Sequence, residues 1–256
     1  MANFSIEPNP LVPVKVRYEH EHVLVVEKPA RLVTIPGKGH DRNSLLNGLF
    51  ALRGNELQNL GKGRDFGVLH RLDRETSGLL LVATSAGAYD GLRAQFEERK
   101  VRKFYIAIAA DSPRQDSGVI RRPIAEYRAS HAHKEMKLAK ISPSGNPAVT
   151  AYRVISRSAA ASLLECRAVT GKLHQLRVHL QSIGCPIFGD DVYAPPAVAA
   201  AAPRLMLHAH RLAFQHPLTG EQVDVSWPLP REMRSVAKRL NLDLADLDAA
   251  SKKTGS

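Results

Sequence analysis

Cysteine is scarce: Cys166 and Cys185 are the only two in 256 residues. That is too few for a disulfide framework, and they lack the close spacing of a zinc site. No run reaches the ~18 apolar residues that a membrane helix needs. The opening MANFSIEPNP has neither the basic nor the apolar stretch of a secretory leader. Acidic side chains are also short in number, 25 Asp and Glu against 36 Lys and Arg, a net charge of +11. These shortages exclude secreted mini-protein and membrane classes, and the expectation is a soluble, cytoplasmic, monomeric protein with no membrane partner. Apolar residues at 44% and charged ones at 24% are ordinary for a globular chain. The basic balance attracts polyanions, of which nucleic acid is the commonest, although charge alone does not decide the matter.

Apolar, β-rich runs recur at 22–28, 78–84, 104–110, 149–155 and 162–169. Helical patterns lie at 44–52, 86–98, 173–183 and 231–247. Strands and helices in this irregular order predict an α+β fold with a mixed, largely antiparallel sheet and flanking helices. Residues 1–15 and the tail after the last helix are expected to be loose, leaving 16–230 as the main domain and 231–256 as a C-terminal helix and tail. The Pro- and Ala-rich stretch 193–203 reads as a surface loop.

In the helix at 173–183, Leu173, Leu176, Leu180 and Ile183 form one stripe, and Gly184 supplies a stop. Arg177 sits at the edge of that stripe. A guanidinium brought there either snorkels to water or meets a carboxylate in a bidentate pair.

The densest chemical signal is VLHRLDRETSGLLLVAT at 68–84. Its charged cluster, His70, Arg71, Asp73, Arg74 and Glu75, precedes a turn-forming Thr76-Ser77-Gly78 and a strand. Asp73 is the carboxylate best placed to be held at a cleft mouth; a solvated charged turn is the plainer alternative. Two HxH pairs, His131 with His133 and His208 with His210, have no Cys or carboxylate at metal spacing, so no metal is expected there.

HRLDRETSGLLLVA at 70–83 resembles the signature of the RluA family of pseudouridine synthases, which isomerise uridine in RNA. Four further blocks agree in order: YEHEHVLVVEKPARLVTIPG at 18–37, KFYIAI at 103–108, TGKLHQLRVHLQSIGCPIFGD at 170–190 and LMLHAHRLAFQHPLTG at 205–220. The resemblance covers about residues 16–230. It implies a pseudouridine synthase fold with a central RNA-binding cleft, and roles for named residues. Asp73 takes the place of the essential carboxylate, Tyr105 that of the tyrosine packing on the target base, and Arg177 that of the arginine pairing with the aspartate. Arg71 takes the place of the arginine beside the gap left by the extruded nucleotide. Within these blocks His70, Arg74, Thr76, Lys103, Lys172 and His174 join Arg71 as candidates for RNA binding. Lys62, Arg64, Arg99, Lys100, Arg102, Arg121 and Arg122 are further candidates for phosphate. The resemblance also implies a compact member whose catalytic blocks begin too near the start for an accessory RNA-binding domain.

The chemistry suits these residue types. The N1–C1′ bond of uridine breaks, the base turns, and a C5–C1′ bond forms, so nothing is oxidised and neither cofactor nor metal is demanded. An ionised carboxylate is needed, and an adjacent guanidinium would keep it charged inside a pocket. The nucleotide must first leave its stack, at a few kcal/mol, and an aromatic platform can return ~1–3 kcal/mol. The partner expected is therefore structured RNA, an exposed loop of ribosomal or transfer RNA. A non-catalytic RNA-binding protein on the same scaffold and a metal-dependent nuclease are the competing classes. One departure from the family pattern is Ala194, where a glycine is commoner after GDDVY, so the loop following it is expected to differ in shape.

Overall fold

A strand whose residues are apolar at nearly every position has no wet face and belongs inside a sheet, and Ser77–Ala83 is buried throughout. In the computed structural model, which describes residues 4–131, 134–245 and 247, the chain divides into two units. Met1–Val101 and Arg211–Trp227 form the first, and Arg102–His210 and Pro228–Ser256 the second.

In the first unit β1 (Lys15–His20) runs antiparallel to β2 (Val23–Lys28), which runs antiparallel to β3 (Ser77–Ala83). Two helices accompany these strands, α1 (Leu45–Leu60) and α2 (Ala86–Glu97). Ser44 starts α1 with a capping box, its hydroxyl accepting from the Asn47 amide while the Asn47 side chain accepts from the Ser44 amide. The helix is longer than the periodicity predicts and kinks at Arg53.

The segment expected to be loose is tied down over its described part. Phe4 meets Phe50 edge-on with ring centroids 5.7 Å apart, the Ser5 amide donates to Gln58, and the Asn9 side chain donates to the Arg42 carbonyl. Gly48 and Gly54 make this crossing possible: a Cβ on them would lie 2.6 Å from the Val12 carbonyl oxygen and 2.9 Å from the Phe4 ring.

In the second unit β4 (Arg102–Ala110), β5 (Ser117–Ile120), β8 (Thr150–Arg157) and β9 (Ala161–Ala168) pair antiparallel in the order β4-β9-β8-β5. A separate antiparallel hairpin joins β6 (Ile124–His131) to β7 (Lys134–Ile141). Its apolar face, with Ile124 and Ala139, packs with Val178 of α3 (Gln175–Ser182). The loop expected at 193–203 contains a short helix, α4 (Pro196–Ala200), with proline at its first turn, where a missing N–H costs nothing.

Strand β10 (Leu207–Gln215) passes from the second unit into the first, where Arg211–Gln215 pairs antiparallel with β11 (Gln222–Ser226). Helix α5 (Arg231–Arg239) is counted with the second unit and stops short of Leu247, although Ala245 and Leu247 are again helical. Asn241 ends it in a left-handed conformation (φ 55°), and the Leu242 amide closes back on the Ala237 carbonyl. The tail SKKTGS and the pair His131 and His133 lie outside the described side chains.

The fold class is thus the α+β arrangement that the patterning implies, with a mostly antiparallel sheet and flanking helices. Among the described residues no helix is long and apolar enough to cross a membrane.

Candidate active site

The first unit carries Asp73 on the connection between Leu69 and β3. That connection is anchored at its start by the Leu69 amide, which donates to the Leu81 carbonyl, and at its end by a turn in which the Thr76 amide donates to the Asp73 carbonyl. The residues on either side of Asp73 are pinned. Thr34 accepts from the Leu72 amide at 3.2 Å and donates its hydroxyl to the Leu72 carbonyl at 2.9 Å. The Arg74 carbonyl accepts from the Arg31 amide and from the Lys28 ammonium. Asp73 itself is half-buried, flanked by exposed Arg71 and Arg74.

Lys28 explains why this loop is rigid. It closes β2 opposite Gly78, is fully buried, and directs its ammonium to the carbonyls of Pro29, Leu32 and Arg74 at 2.9, 2.7 and 3.2 Å. Hydrogen bonds from a charged group are the strong ones, and buried carbonyls left unmade are costly. Lys28→Met should therefore lose about 2–4 kcal/mol of stability, read by urea denaturation. A loss below ~1 kcal/mol would mean the ammonium is not what holds the loop.

Two residues expected to touch RNA have structural duties here. His70 accepts the Leu81 amide at Nε2, 3.1 Å away, and its ring lies 5.4 Å from that of Phe96. Thr76 is 2% exposed and belongs to the turn after Asp73. Among the phosphate candidates, Arg64 is forked by Asp90 and Lys100 meets Glu98, whereas Lys62, Arg99 and Arg102 are exposed.

The second unit carries the other predicted residues. Tyr105 lies on β4 opposite Cys166 and is 8% exposed. Lys103, two positions earlier, is half-buried beside Gly171, and burial pushes its ammonium down in pKa. Lys172 is half-buried, and its amide donates to Gln175.

Arg177 is buried and does not snorkel. The carboxylate awaiting it is Asp190: Nε donates to Oδ2 at 2.8 Å and Nη2 to Oδ1 at 2.7 Å. The resemblance leads to Asp73 as the partner, so within its own unit the guanidinium is forked by a different carboxylate. A guanidinium carries five N–H donors, and this fork uses two of them. Burial pushes the Asp190 carboxyl up in pKa, but the Arg177 hydrogen bonds and charge, with the Tyr193 and Val192 amides, overcome it and hold the group below the ordinary range.

Sequence reasoning missed most of what holds Arg177 in place. Gln175 and His179 tie α3 to the strand edge at Thr150. The Gln175 amide donates to Thr150 Oγ1, the Thr150 hydroxyl donates to His179 Nδ1, and His179 Nε2–H donates to the Arg122 carbonyl. The signal was available: a helix whose polar residues fall on its buried face must satisfy them locally. Of the histidine pair on β10, His210 meets Glu165 at 3.2 Å, and burial pushes His208 down to about 3.

Over residues 22–182 the chain matches the family described as RNA pseudouridylate synthase. It is 38% identical over 237 residues to ribosomal large subunit pseudouridine synthase D of Zymomonas mobilis, covering 90% of this chain and 73% of that one. The protein of the same description from Neisseria meningitidis is 37% identical, covering 97% of this chain and 66% of its own. The chain thus spans about two thirds to three quarters of the length of these two relatives. An uncharacterized RNA pseudouridine synthase of Bacillus subtilis is 34% identical, with 93% and 82% covered. Among solved structures, human RNA pseudouridylate synthase domain containing 1 superposes with a TM-score of 0.69 at 26% identity, over 96% of this chain and 98% of that one.

Proposed function

The chain belongs to the RNA pseudouridylate synthase family, and we propose that it converts a uridine of large-subunit ribosomal RNA, transfer RNA, or both, to pseudouridine. The relatives named for the ribosomal large subunit favour the first of these substrates. The observation that carries the reading is Asp73, set on a loop whose neighbouring residues are pinned on both sides.

The target nucleotide leaves its stack, the N1–C1′ bond breaks, the uracil turns, and C5 bonds to C1′ while its hydrogen departs as a proton. N1 ends protonated, so atoms balance without an external reagent. Asp73 supplies the carboxylate, as nucleophile toward sugar or base or as base at C2′. Tyr105 stacks on the detached ring and Arg177 provides fixed positive charge. Arg71, Arg74, Lys103, Lys172 and His174 bind RNA, with affinity that falls as salt rises. The protein works as a monomer in the cytoplasm, beside the RNA it modifies.

Carbodiimide mapping of pseudouridine in total RNA from cells with and without the protein tests this. Loss of one or a few sites is the expected result and names the substrate. Identical maps would reject the activity.

A further inference from the structure

Asp190 and Arg177 do not stand alone. The Val192 and Tyr193 amides donate to Asp190 Oδ1 at 3.1 and 3.0 Å, so the chain wraps tightly round the carboxylate. This brings the Tyr193 ring under the guanidinium, whose carbon lies 5.0 Å from the ring centroid. The Tyr193 hydroxyl accepts from the Ala139 amide of β7 at 2.9 Å and lies 2.7 Å from His174 Nδ1. His174 immediately precedes α3 in a left-handed conformation, φ 51°, a strained setting for a non-glycine residue.

One phenol oxygen therefore joins the hairpin to the head of α3. Because it accepts from Ala139, its own proton goes to an acceptor, and among the described residues His174 Nδ1 is the acceptor in reach. With Nδ1 accepting, an imidazole that carries one proton carries it on Nε2. Burial raises the phenol pKa to about 12, so this proton stays in place at any working pH.

We propose that Tyr193 is a positioning residue for the reaction: its ring supports Arg177, and its hydroxyl locks His174 as the Nε2–H tautomer against the backbone of β7. The inference rests on the reading of Arg177 and His174 as parts of the RNA site. It places the preorganisation of that site in the residue immediately before Ala194, where the sequence departs from the family pattern.

Y193F is the deciding variant, since it keeps the ring and removes both hydroxyl bonds. Conversion of a 23S ribosomal RNA transcript should slow about 10-fold at saturating enzyme, with RNA affinity changed less than about 3-fold. In ring ¹⁵N spectra, assigned with His174→Gln, the His174 Nε2–H signature should give way to mixed tautomers. Y193L, which also removes the ring, should slow conversion by a further 10-fold or more. A Y193F rate and His174 spectrum equal to wild type would overturn the proposal, as would equal rate losses in Y193F and Y193L that follow their thermal stabilities alone. Should wild-type protein convert no uridine in any RNA tested, the activity reading falls, and the tautomer spectra still decide whether the lock exists.

Discussion

Asp73→Asn should abolish pseudouridine formation while leaving RNA affinity within a few fold of wild type. The exchange is isosteric, and the loop's geometry does not depend on the carboxylate. Leu72 is bonded to Thr34 in both directions, and the Arg74 carbonyl is held by Lys28 and Arg31. The loss thus reports the missing negative oxygen rather than a displaced chain. Removing the group that makes or breaks the covalent bond should cost at least ~10³-fold in rate, equivalent to ~4 kcal/mol of transition-state stabilisation. Binding survives because phosphate contacts and base stacking supply it, and neither needs the carboxylate. Forming the C5–C1′ bond displaces the hydrogen at C5, so tritium release from 5-tritiated uridine in RNA measures the reaction directly. Residual release above roughly one per cent of the wild-type rate would reject Asp73 as the essential group. A large loss of affinity would show that Asp73 shapes the RNA-binding surface instead.

Much of this site is visible in the sequence, for identifiable reasons. The run at 78–84 is almost wholly apolar, and a strand buried throughout answers it. The stripe through Leu173, Leu176 and Leu180 marks a helix, observed over Gln175–Ser182, and Arg177 at its edge leaves two outcomes, snorkelling to water or a bidentate acid, of which the structure shows the second. Which acid cannot be read from the wheel. Asp190 lies 13 residues on, beyond the reach of helical periodicity, and is brought back only by the turn through Gly184 and the loop after it. Lys28 is invisible for a similar reason. A lysine ending a strand usually reaches water, and only tertiary structure shows that its ammonium is surrounded by the carbonyls of Pro29, Leu32 and Arg74. Patterning missed six strands, β1, β5, β6, β7, β10 and β11. Of these, β1 and β5 are half-exposed, so their apolar alternation is diluted, whereas β10 is almost wholly buried but interrupts its apolar run with His208, His210 and Arg211. The N-terminal segment was hidden differently, since its packing is recorded in the glycines of α1 rather than in its own residues.

Asp190→Ala should be the most destabilising single change in the second unit, and it should also inactivate. Arg177 and Asp190 are 4% and 1% exposed, so removing the carboxylate leaves a guanidinium in a dry site without its fork. Breaking a buried pair from one side costs about 3–5 kcal/mol, which lowers Tm by roughly 10 °C for a protein of this size. The pH dependence has a definite sign. Asp190 is held below the ordinary carboxylate range when folded, so the stability it contributes is present above that range and is lost as the pH falls through the depressed value. The wild-type advantage over Asp190→Ala should therefore be full at pH 7 and shrink in acid. The double variant Arg177→Met with Asp190→Leu separates stability from function. Replacing both charges with apolar groups removes the desolvation cost but leaves the Val192 and Tyr193 amides without their acceptor. Tm should therefore recover part of the loss while conversion stays absent, because the fixed cation is gone. A thermal melt of Asp190→Ala within about 2 °C of wild type would show that the fork does not hold Arg177. Recovery of activity in the double variant would show that the reaction does not use the cation at all.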